Sequence, residues 1–237
     1  MAENNKLSAF ILLDRSSSMS GARWENAIAS INKYVDTLKA DKVEADITLA
    51  AFDYNEPFTR AWSPGTIKGG IQMISVEPVP IQDGLSFTVL RDKANIKKFK
   101  RLKADEVSPR GITPLYDATA RLINMADSNN NEKTVIIIMT DGEENCSRHY
   151  NLASIRDRIA ACTKRGWEVL FLGAEFNADH VATSYGLSAS KVINTSLENT
   201  ARSMEFYAKS SAMYSTSGAA IDTLNVKADM AKKAKSA

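Results

Sequence analysis

The fold is decided by residues 9–21, which read AFILLDRSSSMSG. The first five residues are apolar without alternation, which is typical of a strand covered on both faces in a parallel sheet. This strand ends at Asp14, and the serine-rich and glycine-containing stretch that follows predicts a loop. Apolar residues then recur at helical spacing from Trp24 to Leu38. A strand, a loop and a helix in this order indicate the first unit of an α/β sheet.

The same alternation continues along the chain. The apolar patterns predict further strands at Asp46–Phe52, Ser86–Leu90, Thr134–Met139, Trp167–Leu172 and Lys191–Asn194. They predict helices from Thr113-Pro114, with the proline in the first turn, and at Leu152–Thr163, Ala178–Tyr185 and from Leu197. Because alternating strands and helices are joined by right-handed crossovers, we predict a doubly wound α/β fold. Its central sheet is mostly parallel, with Ser86–Leu90 as one antiparallel edge strand beside Asp46–Phe52 and helices on both faces.

One irregular stretch, from Asp53 to Gly84, interrupts this pattern. A long helix is precluded there by Pro57, Pro64, Pro78 and Pro80. We predict an insertion at about 54–85, with an extra strand at Gly70–Val76, because a loop of this length usually has internal structure or a binding role. The domain is then expected to span 5–195, followed by a helical extension at 196–226 and a flexible basic tail at 227–237.

Composition excludes several classes of function. The chain has 30 Lys and Arg against 28 Asp and Glu, a formal net charge of +2, which argues against a protein that coats nucleic acid. Cys146 and Cys162 are its two cysteines, so a disulfide framework or a tetracysteine zinc site is excluded. The apolar run near the start is too short for a signal peptide or a membrane span. We therefore expect a soluble intracellular protein.

Three loops expected at one end of the sheet carry oxygen ligands. In doubly wound folds, ligands bind beyond the carboxyl ends of the strands. The first strand is followed by a D-x-S-x-S pattern formed by Asp14, Ser16 and Ser18. Thr113 stands at the start of a predicted helix, and Asp141 follows the most apolar strand. Hard oxygen donors of this kind suit Mg²⁺, and also Mn²⁺ or Ca²⁺, better than zinc or copper.

Two other interpretations apply to these residues. Serine, threonine and aspartate after a strand often only cap the next helix, but three such loops converging at one end of a sheet favour a metal site. Phosphotransferases of the haloacid dehalogenase class need a second acid where this chain has Ser16. The chain also lacks a phosphate-binding glycine loop and a nucleophile elbow. We therefore expect no enzymatic activity. Two alternatives stay open: a structural protein whose metal site only stabilises it, and a metal-dependent phosphotransferase.

These residues resemble the metal-ion-dependent adhesion site of von Willebrand factor type A domains. Asp14, Ser16, Ser18, Thr113 and Asp141 match its five positions in the same order. The resemblance implies that Ser16 and Ser18 coordinate the metal directly. Thr113 would bind directly when a partner is present and through water otherwise, whereas Asp14 and Asp141 would act mostly through waters and hydrogen bonds.

The resemblance also implies a function in protein binding. A cation that its own domain leaves incompletely neutralised can accept an Asp or Glu from another protein. The rim that meets this partner is expected to include Arg15, Ser17, Gly142 and Glu143. Similarity to stand-alone bacterial and bacteriophage members implies either a virion or assembly protein or a bacterial stress or chaperone adaptor. The expected location is the bacterial cytoplasm or the virion, with no nucleic-acid or membrane partner, while the partner's identity and the oligomeric state stay open.

Overall fold

The computed structural model describes residues 6–54, 85–129, 133–174 and 178–224. Its strands are β1 (Leu7–Asp14), β2 (Ala45–Tyr54), β3 (Leu85–Asn95), β4 (Thr134–Thr140), β5 (Glu168–Ala174) and β6 (Val192–Thr195). Its α-helices are α1 (Ala22–Ala40), α2 (Leu115–Asp127), α3 (Leu152–Lys164), α4 (Ala178–Ser184) and α5 (Thr200–Ser217). Each described element lies within a few residues of its predicted position.

The strands form one sheet in the order β3-β2-β1-β4-β5-β6. Neighbouring strands from β2 to β6 run parallel, and β3 pairs with β2 in the antiparallel direction. The predicted doubly wound α/β fold with one antiparallel edge strand is therefore confirmed. Since β1 lies between β2 and β4, the strand order changes direction beside β1. The carboxyl ends of β1 and β4 are thus the place where such folds bind ligands.

The unbroken apolar run of β1 fills two cores, one on each face of the sheet. Ile11 and Leu13 belong to the core covered by α1 and α5, whereas Phe10 and Leu12 belong to the core covered by α2 and α3. All four side chains are essentially inaccessible to solvent. Because successive residues of a strand point to opposite faces, a strand buried on both sides needs apolar residues at every position.

Helix α5 completes the layer on the α1 face. Its residues Met204 and Tyr207 are fully buried in the same core as β1 and α1. The hydroxyl of Tyr207 donates a hydrogen bond to the carbonyl of Phe171 in β5 at 2.9 Å. Tyr34 of α1 likewise bonds Ser211 at 3.1 Å. The buried polar atoms of this helix are therefore satisfied, and α5 contributes to the main core.

The start of α2 differs from the prediction. The helix begins at Leu115, and Pro114 precedes it with φ −83° and ψ 66°, outside the helical region. Pro114 is therefore the N-cap residue, whose carbonyl accepts a hydrogen bond from the Ala118 N–H, and Thr113 precedes the helix. The predicted insertion, including the strand at Gly70–Val76, lies almost entirely outside the described residues, as does the predicted tail.

Within the described ranges, no helix combines the length and the apolarity that a membrane span requires.

Candidate metal centre

Asp14 forms the floor of the candidate site at the end of β1. Its side chain is fully buried. One carboxylate oxygen, Oδ1, accepts a hydrogen bond from the backbone N–H of Ser16 at 2.7 Å. The other oxygen, Oδ2, accepts one from the hydroxyl of Thr140 at 2.6 Å. The carboxylate is thus held from both sides, by its own loop and by the end of β4.

Above Asp14, two hydroxyl groups and a carboxylate form a continuous row of oxygen atoms. The Oγ atoms of Ser16 and Ser18 lie 2.9 Å apart, within hydrogen-bond distance. The Ser18 hydroxyl donates a hydrogen bond to Asp141 Oδ1 at 2.7 Å. Ser18 and Asp141 are 123 residues apart in sequence, so the sheet brings two distant loops into direct contact.

Thr113 faces the same place from a third loop. A Cβ atom built on Gly142 would lie 3.8 Å from Thr113 Oγ1, so this hydroxyl points toward the turn that follows β4. Asn145 holds the backbone of Thr113 through two hydrogen bonds of 2.9 and 3.1 Å. The carbonyl of Gly111 accepts hydrogen bonds from the backbone and the hydroxyl of Ser17. The structure therefore places all five predicted ligand residues at one end of the sheet.

Burial makes the negative charge of this site costly. Desolvation raises the pKa of Asp14 to about 6, and the charge of Asp141 adds to the rise, while hydrogen bonds from Thr140 and Ser16 oppose it. The side chain of Asp141 is itself only 1% exposed, with Arg23 Nη1 at 3.5 Å from its Oδ2. Two buried carboxylates at one site repel each other, and a divalent cation would relieve this repulsion.

The donor set fits a hard divalent cation. The five side chains offer hydroxyl and carboxylate oxygens, which are the ligands that Mg²⁺, Mn²⁺ and Ca²⁺ prefer. The described residues contain no cluster of three or more His, Cys, Asp or Glu side chains that could hold a metal ion. Nearby, burial and the charges of Glu144 and Asp117 raise the pKa of Cys146 to about 12, so its thiol stays protonated and is a poor ligand.

The predicted rim residues lie in two different environments. Ser17 and Glu143 are exposed, and Gly142 is partly exposed beside them. Arg15 is only 5% exposed, and its guanidinium bonds Asp53 and Ser86. From this position Arg15 holds the metal-site loop against the ends of β2 and β3, and its charge does not reach the surface.

Asp53 was not anticipated as part of this region. It is fully buried, with Arg15 Nη2 at 2.7 Å from Oδ1 and Arg110 Nε at 2.9 Å from Oδ2. A signal was present, because Asp53 lies at the carboxyl end of β2 and the rule that singled out Asp14 and Asp141 applies to it equally. Thr140 was also missed as a contact of Asp14, although it immediately precedes Asp141.

The loop after Asp141 and the start of α2 hold each other in place. Glu144 accepts a hydrogen bond from the backbone N–H of Tyr116 at 2.8 Å, and so satisfies one of the free N–H groups of the helix. In return, Asp117 accepts hydrogen bonds from three consecutive backbone N–H groups of the loop, those of Arg148, His149 and Tyr150. This exchange fixes the loop that follows the candidate metal ligand Asp141.

Replacing Asp117 with Ala is expected to lower the free energy of unfolding by about 2–4 kcal/mol, because three backbone N–H groups would lose a charged acceptor. Urea unfolding followed by far-UV circular dichroism measures the change. Asp127→Ala, at the exposed end of the same helix, removes an ion pair with Arg165 and is expected to cost less than about 1 kcal/mol. Equal effects of the two substitutions would contradict the anchoring role of Asp117.

Comparison with known proteins identifies the fold. No protein-family model and no curated protein matches the chain. Proximal thread matrix protein 1 from the mussel byssus is 16% identical, with a TM-score of 0.56 over 87% of this chain and 46% of that one. The pilus adhesin SpaC from Lactobacillus rhamnosus GG is 13% identical, with a TM-score of 0.59 over 89% and 31%. Manganese-loaded TRAP protein from Plasmodium vivax is 15% identical, with a TM-score of 0.50 over 84% and 72%.

The chain thus spans less than half the length of the mussel and Lactobacillus proteins. At these identities the similarity concerns the fold alone. Together with the strand order and the antiparallel edge strand, it supports one conclusion. The chain has a fold of the von Willebrand A type.

Proposed function

We propose that this protein is a metal-dependent protein-binding module. Mg²⁺, or Mn²⁺ or Ca²⁺ in its place, would be held by Asp14, Ser16, Ser18, Thr113 and Asp141, and an Asp or Glu of a partner protein would complete its coordination. The observation that carries the proposal is the row of oxygen atoms from Ser16 through Ser18 to Asp141, with the buried Asp14 behind it.

Each residue has a distinct task in this proposal. The hydroxyl oxygens of Ser16 and Ser18 would contact the cation directly, and the hydrogen bond from the Ser16 backbone N–H to the Asp14 carboxylate orients their loop. Asp141 sets the position of Ser18 by accepting its hydrogen bond. Thr113 adds a hydroxyl from a loop held by Asn145. The cation, when bound, supplies a positive charge that attracts a carboxylate.

We propose binding rather than catalysis. The position two residues after Asp14, where a phosphotransferase needs an acid, is occupied by the Ser16 hydroxyl. The fold is shared with a protein named as an adhesin and with one solved in a manganese-loaded form, which supports metal-dependent adhesion. For the setting, we propose a bacteriophage virion or assembly protein, or a bacterial stress or chaperone adaptor.

The proposal is tested by affinity capture from a lysate of the source organism in Mg²⁺, followed by elution with a chelator. We expect a partner that is released by the chelator and is not captured by Asp14→Ala, because the loss of this carboxylate removes the anchor of the Ser16 loop. Asp157→Ala, on the exposed face of α3, is the matched control and should capture as the unmodified protein does.

Capture that persists with Asp14→Ala, or in the presence of chelator, would contradict the proposal. A structural protein with a stabilising metal would give a different result. Mg²⁺ would then raise the melting temperature, but no partner would depend on it.

A further inference from the structure

Ile112 displays a large apolar side chain directly beside the candidate metal centre. It is 47% exposed and immediately precedes Thr113. Among the described residues, the other large apolar side chains that are comparably exposed are Val89, Met213 and Leu224. A single exposed apolar residue is ordinary on a protein surface. What distinguishes Ile112 is its position next to Thr113, a candidate ligand of the cation.

The backbone around Ile112 is held rigidly. Its N–H donates to the Tyr54 carbonyl at 3.1 Å, and its carbonyl accepts from the Tyr54 N–H at 2.8 Å, so the last residue of β2 pairs with Ile112 as well as with β3. Two residues earlier, the N–H of Arg110 donates to the carbonyl of Arg15 at 2.7 Å. The side chain of Ile112 is thus presented by a fixed backbone, and a partner would bind it with little loss of conformational entropy.

Positive charge lies close to Ile112. Arg15 and Arg110 share the single carboxylate of Asp53, which leaves a surplus of one positive charge. Arg15 is buried, whereas the side chain of Arg110 is 48% exposed, so Arg110 displays this surplus at the surface. In addition, the guanidinium of Arg148 lies 4.8 Å from the ring centroid of Tyr54, the residue paired with Ile112.

Charges of both signs lie around the candidate metal centre, since Arg23 Nη1 is 3.5 Å from Asp141 Oδ2 and an exposed acid follows the same loop. This acid is Glu143, which follows the Asp141-Gly142 turn. A second acidic group of a partner would be repelled by Glu143 and attracted by Arg110. Arg110, two residues before Ile112 and 48% exposed, is therefore the group on this segment that would attract a second acid.

We propose that Ile112 and Arg110 determine which partners this protein accepts. The favoured partner is a protein segment that carries an apolar side chain and a second acidic residue close to its metal-ligating Asp or Glu. The apolar side chain would pack on Ile112, and the second acid would pair with Arg110. This inference rests on the proposed function, because the cation provides the common anchor for every partner.

The test is a selection from a displayed library of short random peptides with one fixed central aspartate, bound in Mg²⁺ and eluted with a chelator. The unmodified protein is expected to enrich peptides with an apolar residue and a second acid near the fixed aspartate. Ile112→Ser should lose the apolar preference and Arg110→Gln the acidic one, each with roughly tenfold weaker binding of a selected peptide. Arg110→Lys should keep the acidic preference, since it keeps the charge.

Two matched controls remove a similar side chain elsewhere. Val89→Ser removes an exposed apolar residue from β3, and Arg101→Gln removes an exposed guanidinium paired with Asp36. Both should leave the preferences unchanged. A Mg²⁺-dependent rise in melting temperature, measured for every variant, shows that its fold and its metal centre are intact.

The outcomes separate this inference from the proposed function. Enrichment that depends on Mg²⁺ without either preference, or with preferences that Ile112→Ser and Arg110→Gln leave intact, overturns the inference while metal-dependent binding stands. If no peptide is enriched in a Mg²⁺-dependent way, the inference is overturned and the result counts against the proposed function as well.

Discussion

Replacing Asp14 with Asn is expected to stabilise the metal-free protein by about 1–3 kcal/mol and to abolish its stabilisation by Mg²⁺. The pKa of Asp14 in the fold is about 6 against an ordinary 3.8, so burial disfavours its ionised form. The free-energy cost of burying this charge is absent well below pH 3.8, where Asp14 is protonated in both the folded and the unfolded state. It is complete above pH 6. An amide avoids it, and can accept from the Ser16 N–H while donating to Thr140, whose hydroxyl also lies 3.0 Å from the Gly142 carbonyl.

Urea unfolding at neutral pH, with chelator and with Mg²⁺, measures both effects. Asp53→Asn is the matched control because Asp53 is equally buried, but its charge is paired with Arg15 and Arg110. The same substitution there should destabilise the protein by about 3–5 kcal/mol, since it breaks a buried ion pair. A loss of stability in metal-free Asp14→Asn, or a remaining response to Mg²⁺, would show that Asp14 serves the fold instead of a cation.

Replacing Gly111 with Ala is expected to lower the free energy of unfolding by about 3–5 kcal/mol. Gly111 has φ +67°, and a Cβ atom there would lie 2.0 Å from the carbonyl oxygen of Tyr54. The backbone would have to move, and the Gly111 carbonyl, which accepts two hydrogen bonds from Ser17, would move with it. We therefore also expect a weaker response to Mg²⁺, measured by urea unfolding with and without the cation.

Gly166→Ala separates the steric effect from the effect of a positive φ. Gly166 has φ +78° after α3, but a Cβ atom there would meet nothing within 4 Å. Its replacement should cost only about 1–2 kcal/mol and leave the response to Mg²⁺ unchanged. If the two glycine variants lose equal stability, the close approach to Tyr54 does not constrain the site.

The fold could be predicted because its central strands are buried on both sides. The apolar runs that form β1 and β4 leave no polar face, and this pattern is typical of a sheet covered by helices on both sides. The start of α2 could not be placed as well, because Pro114 suits both the first turn of a helix and the turn before it. In the fold, two hydrogen bonds to Asn145, 32 residues downstream, hold Thr113 just before the helix.

The positions of the candidate ligands could be predicted because they follow a topological rule about strand ends. The supporting contacts could not, since they join residues that no local pattern connects. Arg15 illustrates the difference, because its place within the D-x-S-x-S loop indicated the rim, whereas a carboxylate 38 residues away draws it into the interior. The hydrogen bonds that Asp117 accepts from a loop 31 to 33 residues downstream likewise join residues that no local pattern connects.

The contact between Ser18 and Asp141 spans 123 residues of the chain. A site assembled from such distant segments has no counterpart in the unfolded ensemble, where the same oxygens are dispersed. A cation would therefore bind only the native state and would add its binding free energy to that state alone. In this respect it would differ from the zinc of a small finger domain, whose neighbouring ligands allow the metal to organise the chain as it folds.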